Sequence, residues 1–318
     1  MQNDKWATLN YILYRMYYLF CKIICKLRSL GFPVQDILFI PAYYYLSVGK
    51  KLNVRNPQTF TEKMQWLKLY DHKSLYHKLV DKAEVKEYVK NIIGNEYIIP
   101  TLGVWEAFDE IDFDSLPDKF VLKSTNGGGS NGVVVCKDKA SFDKINAKAL
   151  LERSMSYDIY KKMGEWVYKG IQPRIIAEEL LELPDESSIN DYKIWCFNGE
   201  PKVLFYASER FNEEKHPPYF DYYDMDLNKL PVRSKGHMSS KTQLKRFPEF
   251  EIMKELAKKL SIGYPYIRVD FYCVNSRVYF GELTFYHDAG LVPFEPEEWN
   301  VRFGNMIVLP TNNVNDAE

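Results

Sequence analysis

The sequence predicts an α+β protein, and three observations carry that expectation. Apolar residues recur at helical spacing through roughly the first 90 positions. From Phe120 onward the pattern changes to short apolar runs separated by turn residues, as in Phe120-Val121-Leu122-Lys123 and Val133-Val134-Val135-Cys136. Near the C-terminus an amphipathic helical stretch, Phe250 to Leu260, precedes two further strands, Arg268 to Tyr272 and Tyr279 to Thr284. At 318 residues the chain can bury a substantial core, as one large domain or as two to three lobes.

The elements follow in order. From Trp6 to Leu30 the residues Leu9, Ile12, Leu13, Met16, Tyr17, Phe20, Ile23, Ile24 and Leu27 mark a helix, and Gly31 and Pro33 end it. Its aromatic belt, with Arg15, Lys22, Lys26 and Arg28, suits an anionic membrane surface or packing on the chain's own domain. Thr59 and Glu62 have capping-box spacing and head a helix carrying Met64, Trp66, Leu67 and Leu69. A further helix from about Leu75 to Asn91 carries Asp81-Lys82, and Gly94 closes it before the extended Tyr97 to Pro100. The hairpin after Phe120 encloses a loop from Ser124 to Gly132, and a helical stretch runs from Ser141 to about Lys162. Strands are expected at Arg174 to Glu179, Lys193 to Phe197 and Lys202 to Tyr206, the last two joined by the hairpin dipeptide Asn198-Gly199. The tyrosine-rich segment from Phe211 to Arg233 receives no assignment, and the Asn-rich tail after Pro310 is expected to be mobile.

Composition excludes some functions. A net charge of −1 speaks against a nucleic-acid binder that works by neutralising phosphates. Residues 1–90 hold 15 Lys/Arg against 7 Asp/Glu, so a basic N-terminal part faces an acidic remainder or an external anion. Five scattered cysteines with no CxxC pair suggest neither a disulfide framework nor zinc, and fit a reducing cytoplasm. No apolar run of 18 residues and no leader pattern are seen, so neither a spanning helix nor a cleavable signal is expected.

Two constellations carry chemistry. Arg268 and Asp270 lie two apart on one strand, and Glu282 and Thr284 two apart on the next, so all four can share one sheet face. Two carboxylates and a neutral oxygen suit Mg²⁺, whose shell is completed by substrate phosphates; a cross-strand Arg–Glu pair fits the same pattern. The second constellation, Lys123-Ser124-Thr125-Asn126-Gly127-Gly128-Gly129-Ser130-Asn131-Gly132, puts a lysine at a strand end before a glycine-rich hairpin loop. Such a loop lets backbone N–H groups approach phosphate oxygens, or is simply a flexible hairpin tip. It has neither the GK[ST] ending of a P-loop nor a G-x-G-x-x-G opening a helix.

Read in order, these features resemble the ATP-grasp superfamily, in which ATP is held between two α+β lobes. Asn56-Pro57, Thr59-Phe60, Glu62-Lys63, Gln65-Trp66-Leu67, Asp81-Lys82, Asp191-Tyr192-Lys193, Cys196-Phe197-Asn198-Gly199-Glu200-Pro201 and Gly281-Glu282-Leu283-Thr284-Phe285 narrow the resemblance to the TupA-like branch, named for teichuronopeptide biosynthesis. It implies an N-terminal helical segment over residues 1–75, a small lobe over 76–175, a large lobe over 176–310 and a tail over 311–318. Lys82 and Lys123 look like the two lysines on the ATP phosphates, and Gly127, Gly128, Gly129 and Ser130 like the lid over them. Glu178, Leu180 and Leu181 look like the interlobe hinge, with Glu178 accepting from the adenine amino group, or Glu179 if the alignment shifts by one. Asp191 resembles the acid near the ribose and Lys193 a further phosphate contact. Asp270, Glu282 and Thr284 resemble the Mg²⁺ ligands, although most members of the superfamily place an asparagine where Thr284 stands. Arg268 resembles the catalytic arginine over the reacting carboxyl.

The resemblance implies an ATP-dependent carboxylate–amine ligase working through an acylphosphate. The carboxylate would belong to a uronic acid in a bacterial surface polysaccharide or its lipid-linked intermediate, and the amine to an amino acid or similar small amine. Arg210, Tyr219, Tyr222 and Tyr223 offer an acceptor surface. A cytoplasmic enzyme touching the inner membrane face through its N-terminal helix fits this reading. No catalytic base stands out; His287-Asp288 could lie near the acceptor or be structural. A kinase acting on a glycan hydroxyl and a non-catalytic glycan-binding protein are the rival expectations.

Overall fold

The computed structural model describes residues 2–128, 132–183, 189–209, 217–241 and 243–311, with side chains from residue 10 onward. Gly129 and Ser130 of the expected lid, Arg210, and the tail beyond residue 311 lie outside the described residues. Helix α1 (Gln2–Ser29) packs on α2 (Asp36–Val48) through Cys21, Ala42 and Tyr45. Periodicity does not reveal α2, because its sequence is apolar on nearly every side and contains Pro41. Helix α3 (Phe60–Tyr70) begins as its sequence predicts: Glu62 N–H donates to Thr59 Oγ1 at 3.2 Å, and Thr59 N–H to Glu62 Oε2 at 3.0 Å.

The helix expected from Leu75 to Asn91 is two helices, α4 (Leu75–Val80) and α5 (Glu84–Ile93). Asp81 makes the break: its backbone is extended, and Oδ1 accepts the N–H groups of Ala83 and Glu84 at 2.9 and 3.0 Å. Lys82 therefore projects from a turn. Next come β1 (Thr101–Trp105), β2 (Phe120–Ser124), β3 (Val133–Cys136), α6 (Lys144–Met155), α7 (Ile159–Met163) and β4 (Ile175–Glu179). The single helical stretch expected from Ser141 to about Lys162 is divided, since Asp143 and Asp158 each cap a new start. The remaining elements are β5 (Asp191–Phe197), β6 (Glu200–Ser208), β7 (Tyr219–Tyr223), β8 (Arg233–Ser234), α8 (Pro248–Ser261), β9 (Tyr266–Val274), β10 (Arg277–Thr284), β11 (Phe294–Glu295) and α9 (Glu298–Asn305).

Two antiparallel sheets organise the chain. The first has the order β1-β4-β2-β3 and a core of Phe108, Phe120, Leu122, Leu151 and Ile175. The second has the order β10-β9-β5-β6-β7, with α8 packed on one face and the polar cluster described below on the other. Strand β4 thus joins the small sheet although the expected boundary after residue 175 would cut through it. Helices α4 and α5, expected in the small lobe, send Tyr76, Leu79, Val85 and Val89 into the larger core. Sequence order does not show which sheet an apolar element will join, because both cores accept the same side chains.

Turn chemistry sets the registers. Asn198 and Gly199, with φ of 51° and 82°, close β5–β6, and Asn275 and Ser276, with φ of 51° and 58°, close β9–β10. In the second hairpin Gly281 is one extra residue: Phe280 pairs with Phe271, and Glu282, not Gly281, pairs with Asp270. Burial on β10 changes phase there, from Val278 and Phe280 to Leu283.

Candidate active site

Three neighbouring strands build the floor. Asp270 of β9 lies opposite Glu282 of β10 and Lys193 of β5, while Arg268 lies opposite Thr284 and Trp195. Directly opposed residues in antiparallel strands share a face, so Arg268, Asp270, Glu282, Thr284, Asp191 and Lys193 converge. Arg268 grips Asp270 with two donors, Nε to Oδ1 at 2.7 Å and Nη2 to Oδ2 at 2.8 Å, and Nη2 also reaches Glu282 Oε1 at 3.0 Å. Lys193 donates to Asp270 Oδ2 and to Asp191 Oδ1, the latter at 3.3 Å. Thr284 Oγ1 donates to Glu282 Oε1 at 3.3 Å. Burial alone would raise the Asp270 carboxyl, yet Arg268 and Lys193 outweigh it and hold it at about 2. Burial opposes the Arg268 charge too, but Asp270 and Glu282 keep it firmly protonated.

The opposite wall comes from the small sheet and the α4–α5 turn. Lys82 Nζ donates to the carbonyl of Gly127 and stands 3.9 Å from Glu282 Oε2, and its backbone N–H donates to Thr125 O at 3.1 Å. Burial lowers its pKa, with Glu282 pulling the other way. Arg174 ties this turn down by reaching Asp81 and Glu84, each at 3.1 Å. Gly128 faces open space: a Cβ there would find its nearest neighbour, Ile159, 4.0 Å away. Lys123, at the end of β2, forms an ion pair with Glu178 at 2.5 Å, and Lys86 holds the other carboxylate oxygen at 2.5 Å. Glu178 would be raised by its burial, but the two lysines hold it at about 2.

These contacts join Lys82, Gly127, Glu282, Arg268, Asp270, Thr284, Lys193 and Asp191 in one set and Lys123, Lys86 and Glu178 in another, and the charges of Lys123 and Glu178 bear on Lys82. Glu178 here is a partner of two lysines, with both oxygens engaged. Glu179 turns an exposed side chain outward while its N–H donates to Pro100 O at 3.1 Å, and Leu180 and Leu181 follow half-buried. Lys86 is a cation of this wall that sequence reasoning overlooked, although it lies only four residues beyond Lys82. Tyr222, expected on an acceptor surface, is instead fully buried and donates to or accepts from Ser234 Oγ at 2.6 Å; Tyr223 is also buried.

A strained turn follows β10. His287 is buried and its Nδ1 lies 3.1 Å from Arg268 Nη1; since guanidinium only donates, Nδ1 accepts. Burial pushes His287 down to about 4, which keeps the ring neutral for that bond. Asp288, Ala289 and Gly290 all have left-handed backbones, with φ of 46°, 53° and 61°. Helix α3 holds them there: Lys68 Nζ donates to Ala289 O at 2.7 Å, and Gln65 Nε2 to Ala289 O and Gly290 O at 3.1 and 2.8 Å.

The donor set fits Mg²⁺. Asp270 and Glu282 offer hard oxygens from opposed positions with Thr284 Oγ1 beside them, and Mg²⁺ needs only one or two carboxylates when phosphates and water complete its shell. Among the described residues no group of three or more His, Cys, Asp or Glu is placed so that it could hold a metal ion, so a closed all-protein cage is not what this surface offers.

Comparison with known proteins locates this arrangement. No curated protein sequence matches the chain. Among solved structures, D-alanine–D-alanine ligase from Helicobacter pylori is 17% identical over 73% of this chain and 61% of its own, with a TM-score of 0.36. The corresponding ligase from Bacillus anthracis is 15% identical over 65% and 57%, with a TM-score of 0.37. An ADP complex of PurK, N5-carboxyaminoimidazole ribonucleotide synthetase, is 16% identical over 72% and 52%, with a TM-score of 0.40. The chain thus spans between half and about three fifths of these proteins, and the family assignment rests on sequence. A model of the TupA-like ATP-grasp family matches residues 62–308, a span that contains the site residues from Lys82 to Thr284 and the strained turn after β10. With that span covering most of its length, the chain belongs to the TupA-like ATP-grasp family.

Proposed function

We propose that this protein is an ATP-dependent carboxylate–amine ligase that joins a small amine or amino acid to a uronic acid of a surface polysaccharide, free or lipid-linked. The observation that carries the reading is the position of Lys82. One ammonium group contacts the lid carbonyl of Gly127 and stands 3.9 Å from Glu282, so the phosphate lysine, the lid and a metal carboxylate meet at one point.

In this reading Lys82, Lys123 and Lys193 neutralise the phosphates of ATP as substrate, and the lid from Gly127 to Ser130 excludes water. Mg²⁺, when bound by Asp270, Glu282 and Thr284, supplies neutralisation of charge on the phosphates. Arg268, fixed by Asp270, Glu282 and His287, meets the oxyanion that forms when the amine adds to the acyl carbon. Lys123 must exchange Glu178 for a phosphate, so ATP binding is coupled to release of that ion pair. Glu178, or Glu179 beside it, with Leu180 and Leu181, then serves adenine, and Asp191 the ribose.

The protein works in the cytoplasm against an anionic membrane face. Support comes from α1, where Tyr11, Ile12, Leu13, Met16, Leu19, Phe20 and Ile23 are exposed together with Arg15, Lys22 and Lys26, while no helix among the described residues is long and apolar enough to cross a membrane.

A coupled ADP-release screen over uronic acids and amines tests the reaction. Amine-dependent ADP release with an amide product is expected, lost in Lys123→Ala and Asp270→Ala. Both variants matching the wild type would overturn the site, and a stable phosphate ester formed without amine would replace the ligase by a kinase.

A further inference from the structure

The two lysines that hold Glu178 are not equivalent. Lys123 Nζ lies 2.5 Å from Oε2, and Lys86 Nζ lies 2.5 Å from Oε1. An ammonium group has three N–H donors. Those of Lys86 are all spent, on Glu178 Oε1, on Ile99 O at 2.7 Å and on Thr101 Oγ1 at 2.9 Å. Lys123 donates to Glu178 and has no second partner among the described residues. Moving Lys86 therefore breaks bonds to a carbonyl and a hydroxyl as well as to the carboxylate, whereas moving Lys123 breaks one contact.

The fold explains the difference. Lys86 stands in the first turn of α5, whose Val85 and Val89 are seated in the larger core, so its stem leaves a fixed helix and its head reaches the start of β1. Thr101 of β1 pairs directly with Glu178 of β4, which sets the hydroxyl beside the carboxylate. Lys123 is opposite Ile176, two residues before Glu178, where β2 runs out toward the glycine-rich loop. Val121, which pairs with Glu178, shares a sheet face with Ile176 and Lys123; Val121 and Ile176 are buried yet belong to neither sheet core. The carboxylate thus stands beside an apolar strip, a surface suited to one face of a flat heteroaromatic ring.

We propose that Lys86 is a positioning residue that sets the choice of nucleobase: it keeps Glu178 in place while Lys123 leaves for a phosphate, so that the vacated oxygen, Oε2, accepts the exocyclic amino group of adenine. The inference rests on the proposed role of Glu178 toward adenine, and adds what holds the carboxylate for that role. An ionised carboxylate only accepts. Hypoxanthine and guanine carry an oxo group where adenine carries its amino group, and that oxygen would face Oε2 with no proton between them. Discrimination needs a carboxylate that neither turns away from the oxo group nor takes a proton to meet it. Lys86 opposes both, because it fixes Oε1 and keeps a positive charge against Glu178 after Lys123 has gone. Without Lys86 the carboxylate follows Lys123 or turns freely, and the base is read less strictly.

Calorimetric titration of the full-length protein with the magnesium complexes of ADP and of inosine diphosphate tests this with no acceptor substrate present. Wild type should bind ADP at least about tenfold more tightly than inosine diphosphate. Lys86→Met, which keeps the apolar stem, should bring that ratio below about threefold, whatever loss of affinity the two nucleotides share. Lys86→Arg keeps a cation with several donors and should hold the ratio at about fivefold or more. If Lys86→Met is recovered unfolded, Lys86→Gln decides by the same ratio. An unchanged ratio in that variant overturns the proposal, since a lysine that only braces the fold would weaken both nucleotides alike. A ratio lost equally in Lys86→Arg also overturns it. Wild-type protein that binds the two nucleotides equally overturns the adenine role of Glu178 and the proposal with it, and binding of neither overturns the nucleotide site itself.

Discussion

Asp270 accepts from Arg268 and Lys193 at once, and that concentration of charge makes it the most sensitive single position in the floor. Asp270→Asn leaves two buried cations short of a partner, and a loss of about 3 kcal/mol in urea denaturation is expected, along with loss of ADP release. Adding Lys193→Met should recover part of the stability and none of the activity. Thr284 allows a gentler probe. Thr284→Asn supplies the amide oxygen usual in the superfamily and should keep turnover within several-fold, whereas Thr284→Val removes the oxygen that bonds Glu282 and should raise the Mg²⁺ concentration needed for half-maximal rate about tenfold or more. Arg268, Asp270 and Glu282 were legible because two-residue spacing fixes a strand face before any tertiary contact is known. Lys86 was not, since its partner Glu178 comes from a strand far along the chain.

At the scale of elements, the α4–α5 turn is the joint of the site. Asp81 caps α5 and receives Arg174, and this fixes where Lys82 leaves the chain. Asp81→Ala should cost about 1–2 kcal/mol in chemical denaturation, and raise KM for ATP while leaving the Mg²⁺ dependence unchanged. The same residue shows why the sequence suggested one helix: apolar periodicity continues through Leu79, Val80, Val85 and Val89, and only the cap hydrogen bonds reveal the interruption. Capping spacing at Thr59 and the hairpin dipeptide Asn198-Gly199 were readable because each depends on adjacent residues alone. Helix α2 hid for the opposite reason, having no polar face for a period to stand out against.

For the molecule as a whole, two buried groups push stability in opposite directions with pH. His287, held at about 4, refuses a proton that the unfolded chain accepts below its ordinary 6.5, so its contribution falls as pH drops from 6.5 to 4. Glu165, raised to about 7, keeps a proton that the unfolded chain releases above 4.5, so its contribution falls as pH rises from 4.5 to 7. Wild-type stability should therefore vary little between pH 4.5 and 6.5. Over that range stability of His287→Gln should increase on acidification and that of Glu165→Gln should decrease, measured by urea midpoints at stepped pH. Glu178 and Asp270, both near 2, add stability that is complete above about 4.5 and is lost toward pH 2. For α1, co-sedimentation with anionic but not neutral vesicles is expected, reduced by Lys22→Glu with Lys26→Glu. The division into two sheets could not be read from the sequence, because β4 and α4–α5 bear side chains that either core would accept.

The extra residue at Gly281 has a bearing on how this hairpin tolerates insertions and deletions. A one-residue deletion at 281 makes the ladder regular while Glu282 and Thr284 keep their partners Asp270 and Arg268. A deletion at 283 turns Thr284 to the α8 side and breaks the set. Within this strand, then, chain length can change at one point without moving the chemistry, and that point lies directly beside the carboxylates it spares.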